Sequence, residues 1–112
     1  MSPRDIRITP SFLHLLLSLS EGPRHGYRMM QEIEERTDGR TRLGPSSLYY
    51  SLGRLEDAGL IREVEGPDDE DEPHGERRRY YALTDDGRRR LREETEALAD
   101  IVAHARAQGL LG

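Results

Sequence analysis

The chain has 112 residues, with 22 Asp plus Glu against 17 basic residues that are all Arg, a formal net charge of −5 and no cysteine. That length allows one domain, and the missing cysteines exclude a disulfide scaffold, a thiol nucleophile and cysteine-bound zinc. The acidic balance argues at first against a nucleic-acid partner, because phosphate binding wants basic surface.

Hydrophobic residues make up 34% of the chain. A chain of this size buries only about two-thirds of its unfolded surface, so self-association is an early expectation. The longest apolar run, Phe12–Leu19, is interrupted by His14 and Ser18. It falls far short of the roughly 20 residues a membrane-spanning helix needs. Arg4 and Arg7 precede it as in a signal peptide. Asp5 in the leader and the Ser20-Glu21-Gly22-Pro23 that follows make a poor secretory signal, so a cytoplasmic location without membrane contact is expected.

Residues 1–8 form a polar arm without clear period. Thr9-Pro10 supplies an N-cap and a proline suited to the first helical position. Phe12, Leu15, Leu16 and Leu19 then repeat at helical spacing, with Leu13 and Leu17 on another face, so this helix should be buried between two partners. Glu21-Gly22-Pro23 ends it. A second helix is expected from about His25 to Thr37, with Tyr27, Met29, Met30 and Ile33 inward and Arg28, Glu32, Glu35 and Arg36 outward; Asp38-Gly39 stops it. A basic loop with Arg40 and Arg42 follows. A third helix should begin near Gly44-Pro45-Ser46-Ser47 and end at Gly59, with Leu48, Leu52 and Leu55 facing the core and Leu60 folding back.

Residues 60–65 and 79–83 read as two short strands, with Tyr81 and Leu83 on one face. Between them lies an acidic loop over 66–75 bounded by Gly66-Pro67 and Pro73-His74-Gly75, giving a wing hairpin over about 60–83. Thr84 caps a last helix from about Asp85 to Ala107. Leu91, Thr95, Leu98, Val102 and Ala105 follow at spacings of helices that pack lengthwise, and Ile101 widens the stripe. The fold class is therefore mainly α (α+β). A winged helix-turn-helix domain over residues 9–84 follows the 1–8 arm, and a C-terminal dimerisation helix occupies 85–112.

Chemistry concentrates on the third helix. Opposite its leucines lie Ser46, Tyr50, Gly53, Arg54 and Asp57, with Ser47 and Tyr49 at the edges. Hydroxyls and glycine allow close approach to a duplex, and Arg can pair with guanine. From Arg36 to Arg54 there is one acid, Asp38, against four arginines. Arg77, Arg78 and Arg79 stand on the second wing strand. Each residue also has a plainer reading. Ser46 and Ser47 suit a helix start, Tyr49 a core edge, Arg54 a pairing with Glu56 or Asp57, and Arg77–Arg79 a solvated strand. Taken together on a helix-turn-helix frame, they favour DNA contact.

His25-Gly26-Tyr27, Leu43-x-x-x-Ser47-Leu48-Tyr49, Arg54-Leu55-Glu56-x-x-Gly59-Leu60-Ile61 and Arg78-Arg79-Tyr80-Tyr81-x-Leu83-Thr84-x-x-Gly87 follow in order. These motifs resemble the PadR family of bacterial transcriptional regulators over residues 10 to about 92, and the single tail helix is similar to its smaller members. The resemblance implies a winged-helix homodimer paired through its last helix, acting at the nucleoid. It implies sequence-specific binding to a pseudo-palindromic operator, usually as a repressor and often released by a small-molecule effector. It matches Ser47, Tyr49, Arg54, Arg78 and Arg79 to DNA-facing positions. The expected DNA-binding set is Arg40, Arg42, Ser46, Ser47, Tyr49, Tyr50, Arg54, Arg77, Arg78 and Arg79. The expected dimer contacts are Phe12, Leu16, Leu91, Leu98, Ile101, Val102 and Ala105. Two positions depart from the family pattern: Tyr50 stands where proline is frequent, and Gly44 where Ser or Thr is. The chain also has no Trp, which drug-binding relatives use to sandwich flat aromatics.

An enzyme is disfavoured. His14, His25, His74 and His104 are scattered, and no phosphate loop, catalytic triad or HExxH motif is present. The Asp68–Glu72 run lacks the spaced ligands and glycine of a calcium loop, so neither metal nor cofactor is expected. The serious rival is a winged-helix protein–protein interaction module without specific DNA binding. The charge objection, however, is local. Eight of the 22 acids fall in residues 63–76, and the rest of the chain carries 17 arginines against 14 acids. The acidic tip is expected to weaken non-specific DNA affinity or to steer the wing away from the phosphates.

Overall fold

The structure, a computed structural model, describes residues 6–66 and 79–112. Helices α1 (Pro10–Ser18), α2 (Gly26–Arg36), α3 (Pro45–Asp57) and α4 (Asp85–Ala107) are joined by strands β1 (Arg24–His25), β2 (Ile61–Val64) and β3 (Tyr80–Leu83). A 3₁₀ turn, Leu19–Glu21, extends α1.

Each helix begins where the sequence supplies a cap. Thr9 Oγ1 accepts from the Phe12 N–H, and Pro10 occupies the first turn, where its missing donor costs nothing. Thr84 Oγ1 accepts from the Gly87 N–H at 3.0 Å, with Asp85 and Asp86 against the positive end of α4. Helix α3 ends in a Schellman turn: Gly59 has φ +77°, its N–H donates to the Glu56 carbonyl, and the Leu60 N–H donates to the Leu55 carbonyl. Leu60 is thereby folded back into the core.

The first three helices pack around Leu15, Leu16, Leu19, Met29, Ile33, Leu48, Leu52 and Leu55, all essentially without exposed surface. Ile61, Tyr81, Leu83 and Leu91 close this core from the sheet and the start of α4. Emptying a Leu site here by truncation to Ala costs about 2–5 kcal/mol.

Several features depart from the sequence reading. The sheet has three strands in the order β1-β3-β2, both pairings antiparallel. Strand β1 is two residues long; Arg24 pairs with Tyr81 and His25 with Tyr80. The described end of the expected polar arm is anchored, since Ile6 is buried and its carbonyl accepts from Arg90 Nη2 at 2.8 Å. Tyr27, expected inward, is 52% exposed. Helix α2 runs Gly26–Arg36 because His25 is its cap rather than its first residue.

At the other end of α2, Arg36 Nη2 lies 3.4 Å from His14 Nδ1, 3.2 Å from the His14 carbonyl and 3.4 Å from Ser18 Oγ. This guanidinium clamps α2 to α1. Partial burial, followed by the Arg36 charge, holds the His14 imidazole below its ordinary pKa.

Helix α4 leaves the globule. Gly87 and Leu91 are buried and Thr95 is half-buried, but beyond Thr95 the helix is exposed apart from half-buried Ala105. Its 23 residues span about 34 Å at 1.5 Å per residue. The chain measures 54 × 35 × 23 Å.

Candidate nucleic-acid interface

Helix α3 places its two faces as the leucine spacing dictates. Leu48, Ser51, Leu52 and Leu55 are buried, whereas Ser46, Ser47, Tyr49, Tyr50, Arg54 and Asp57 are exposed and Gly53 is half-buried. The N-cap Gly44 offers no side-chain acceptor. The first N–H groups of α3 therefore lack a side-chain cap and can attract an anion. A Cβ on Gly44 or Gly53 would meet nothing within 4 Å, so the outward face is open above both glycines.

Tyr49 and Tyr50 play different parts. A Cβ built on Gly26 would lie 3.4 Å from the Tyr49 hydroxyl and 3.0 Å from Leu48 Cδ2. The Tyr49 ring therefore rests against the start of α2, which glycine allows to approach. Tyr50 is 63% exposed, and its hydroxyl accepts from Arg54 Nη1 at 3.0 Å. Arg54 Cζ sits 5.9 Å from the Tyr50 ring centroid. Arg54 thus turns to a neutral phenol one helical turn away rather than to Glu56 or Asp57.

Around this face, Arg40 is exposed in the α2–α3 loop, and Arg42 pairs with Glu34 at 3.3 Å across exposed surface. On the wing, Arg79 pairs with Glu63 of β2 at 3.5 Å, again exposed. Such surface pairs are worth little and exchange readily for a phosphate partner. Burial raises the pKa of the adjacent Tyr81, partly offset by a hydrogen bond from Arg79. Arg77, Arg78 and the acidic tip lie outside the described residues.

The wing root is tied to the helices. His25 Nδ1 accepts from the Arg28 N–H at 3.1 Å, capping α2, while its ring meets Tyr80 of β3 edge to face with centroids 5.3 Å apart. The same histidine thus joins the start of α2 to the central strand. Sequence reading left β1 unseen, and with it this link. The signal was the histidine cap before Gly26, which a two-residue strand does not reinforce with any period.

Of the expected dimer contacts, three need correction. Leu16 has no exposed surface, and Phe12 and Leu91 are nearly as buried, all within the protomer's own core. They cannot face a partner without opening that core. The apolar residues available on α1 are Leu17, which is exposed, and half-buried Leu13. On α4, Leu98, Ile101 and Val102 are 45%, 64% and 37% exposed, and Ala105 is half-buried.

The family model described as the transcriptional regulator PadR-like family matches residues 15–93. The chain belongs to the PadR family. A Streptomyces fradiae protein, described as an uncharacterized 37.1 kDa protein in transposon TN4556, is 35% identical over 96 residues, covering 86% of this chain and 25% of that protein. The chain therefore spans about a quarter of that relative's length. A PadR family transcription regulator from Clostridium difficile R20291 superposes with a TM-score of 0.68 at 24% identity, covering 90% of this chain and 99% of the other. Bacillus subtilis PadR, solved in complex with operator DNA, gives a TM-score of 0.63 at 23% identity over 74% of this chain and 45% of the other. These two likenesses show the shared winged-helix fold. Among the described residues no group of three His, Asp or Glu gathers as a metal site, and no helix is long and apolar enough to cross a membrane.

Proposed function

We propose that this PadR-family chain is a sequence-specific DNA-binding regulator that works as a homodimer and represses transcription from a pseudo-palindromic operator. The observation that carries the reading is the outward face of α3, where hydroxyls, an open glycine and an arginine stand exposed on a helix whose other face is spent in the core. The reader is α3, with Ser46, Ser47, Tyr49, Tyr50 and Arg54 entering the major groove. Arg40 and Arg42 supply phosphate contacts from the preceding loop, and Arg77–Arg79 supply them from the wing.

The exposed seam of Leu98, Ile101, Val102 and Ala105 supports pairing through α4, because an amphipathic helix with an uncovered apolar stripe gains by burying it. Pairing sets two α3 helices about 34 Å apart, one turn of duplex. Release of the operator by a small molecule, which the family resemblance implies, is part of the same proposal.

The test is a salt titration on duplex from immediately upstream of the protein's own gene, followed by footprinting. A regulator gives a steep negative slope of log affinity against log salt, at about −0.9 per phosphate neutralised, and a two-fold symmetric footprint. Absence of duplex binding at low salt refutes the proposal in favour of a protein-interaction module. A single asymmetric half-site refutes the paired reader.

A further inference from the structure

Resting on the reading of α3 as the recognition helix, we infer that Tyr50 is the positioning residue that aims Arg54 at a guanine. A long arginine side chain on an exposed helix face loses rotamer freedom when it docks, and that loss weakens its contact. Here the guanidinium is already held. Nη1 donates to the Tyr50 hydroxyl at 3.0 Å, and Cζ lies 5.9 Å from the ring centroid, within the range where a cation is drawn to an aromatic face. The i, i+4 spacing brings the two side chains together without help from another element.

The chemistry of the pair then selects its target. Arg54 has five N–H donors, and one is used on Tyr50. The Tyr50 oxygen accepts that bond and keeps its own O–H to give. The two side chains together therefore present donors only. In the major groove guanine offers two acceptors, N7 and O6, whereas adenine sets a donor amino group beside its N7 and cytosine presents a donor. A donor-only array rewards guanine and is repelled by the adenine amino group. An acidic partner for Arg54 would have blocked this arrangement by competing for the same fork. A phenol holds the arginine without neutralising it.

The experiment pairs selection from a random duplex library with binding to the selected site for wild type, Tyr50→Phe, Arg54→Ala and the double variant. Tyr50→Phe keeps the ring and removes the hydroxyl. It should weaken the selected site by about three- to tenfold, the span of one net hydrogen bond, relax the choice at one guanine position, and weaken random duplex by less than it weakens the selected site. In the Arg54→Ala background the same change should have little further effect. Replacing that guanine with 7-deazaguanine should cost wild type more than Tyr50→Phe. In the free protein, the Arg54 Nε–H resonance should move to the averaged position of mobile arginines in Tyr50→Phe. A selected guanine that depends on Arg54 but is indifferent to Tyr50→Phe, or additive losses in the double variant, overturns the inference alone. A wild-type chain that selects no sequence overturns the regulator reading, and the role of Tyr50 with it.

Discussion

Substitution of Gly87 by Ala probes the joint between the winged domain and α4. A Cβ there would lie 1.9 Å from the Leu60 carbonyl oxygen, 2.8 Å from its carbonyl carbon and 3.2 Å from Leu83 Cδ2. The first two atoms are backbone just past the end of α3, so no rotamer change relieves the clash, and the first turn of α4 must withdraw. Withdrawal strains two bonds at the same joint: Thr84 N–H to the Leu60 carbonyl at 3.1 Å and Thr84 Oγ1 to the Gly59 carbonyl at 2.6 Å. Losing both costs about 1–3 kcal/mol, and overpacking a tight site adds about 1–3 kcal/mol. Alanine returns about 1 kcal/mol through its better helix propensity. The midpoints leave a net loss of about 3 kcal/mol, a large share of a small domain's stability. At fixed protein concentration, urea unfolding followed by circular dichroism should show the midpoint fall by about 1–3 M. Gly53→Ala is the internal control. It lies inside α3 with nothing near its Cβ position, so it should raise the midpoint while weakening DNA binding by obstructing close approach. A Gly87→Ala midpoint equal to or above wild type would refute the packing argument.

Leu98→Asp or Val102→Asp should give monomers in sedimentation and abolish operator binding with the winged domain still folded; a dimer of unchanged strength removes α4 from the interface. Arg54→Ala should cost about 1–3 kcal/mol at a specific site, whereas Arg40→Ala should weaken specific and random duplex alike and reduce the salt slope by about one; equal losses for Arg54→Ala on both duplexes would make it a phosphate contact. The lowered His14 pKa means that the unfolded chain takes up a proton there before the folded one does. Stability is therefore fully present above about pH 6.5 and falls as pH drops below it. His14→Gln should flatten that part of the pH–stability curve, and a curve unchanged by the substitution would show that the Arg36 clamp tolerates the charge.

Most helices were legible because their signals are local. Thr9-Pro10 and Thr84-Asp85-Asp86 fix two helix starts through their own side chains, and Gly59 fixes an end through its positive φ. What escaped was held from far away in the sequence. Strand β1 is extended because β3 pairs with it, and Arg24-His25 has no period to announce this. Ile6 packs into a core assembled from residues far along the chain, and Arg90 holds its carbonyl there. Tyr27 sits roughly 160° around the helix from Met29, so the two cannot share an inward face, and Tyr27 is exposed. On the candidate interface, composition showed which face of α3 points outward. The partner of Arg54 was not evident, because charge suggested Glu56 or Asp57 while rotamer and spacing delivered Tyr50. The expected α4 stripe begins too close to the globule, since Leu91 is consumed by the core that begins the same helix, whereas Leu98, Ile101 and Val102 are exposed.

The outer half of α4 has a consequence for dosage. Beyond Thr95 the helix continues from an anchored first half but is exposed apart from half-buried Ala105, so in the proposed dimer a second copy would add order to it. If α4 pairs two chains on one operator, as proposed, occupancy rises with the square of protein level at low abundance. In that proposed regulator a modest change in synthesis or degradation would produce a sharper change in promoter output, without any ligand being involved.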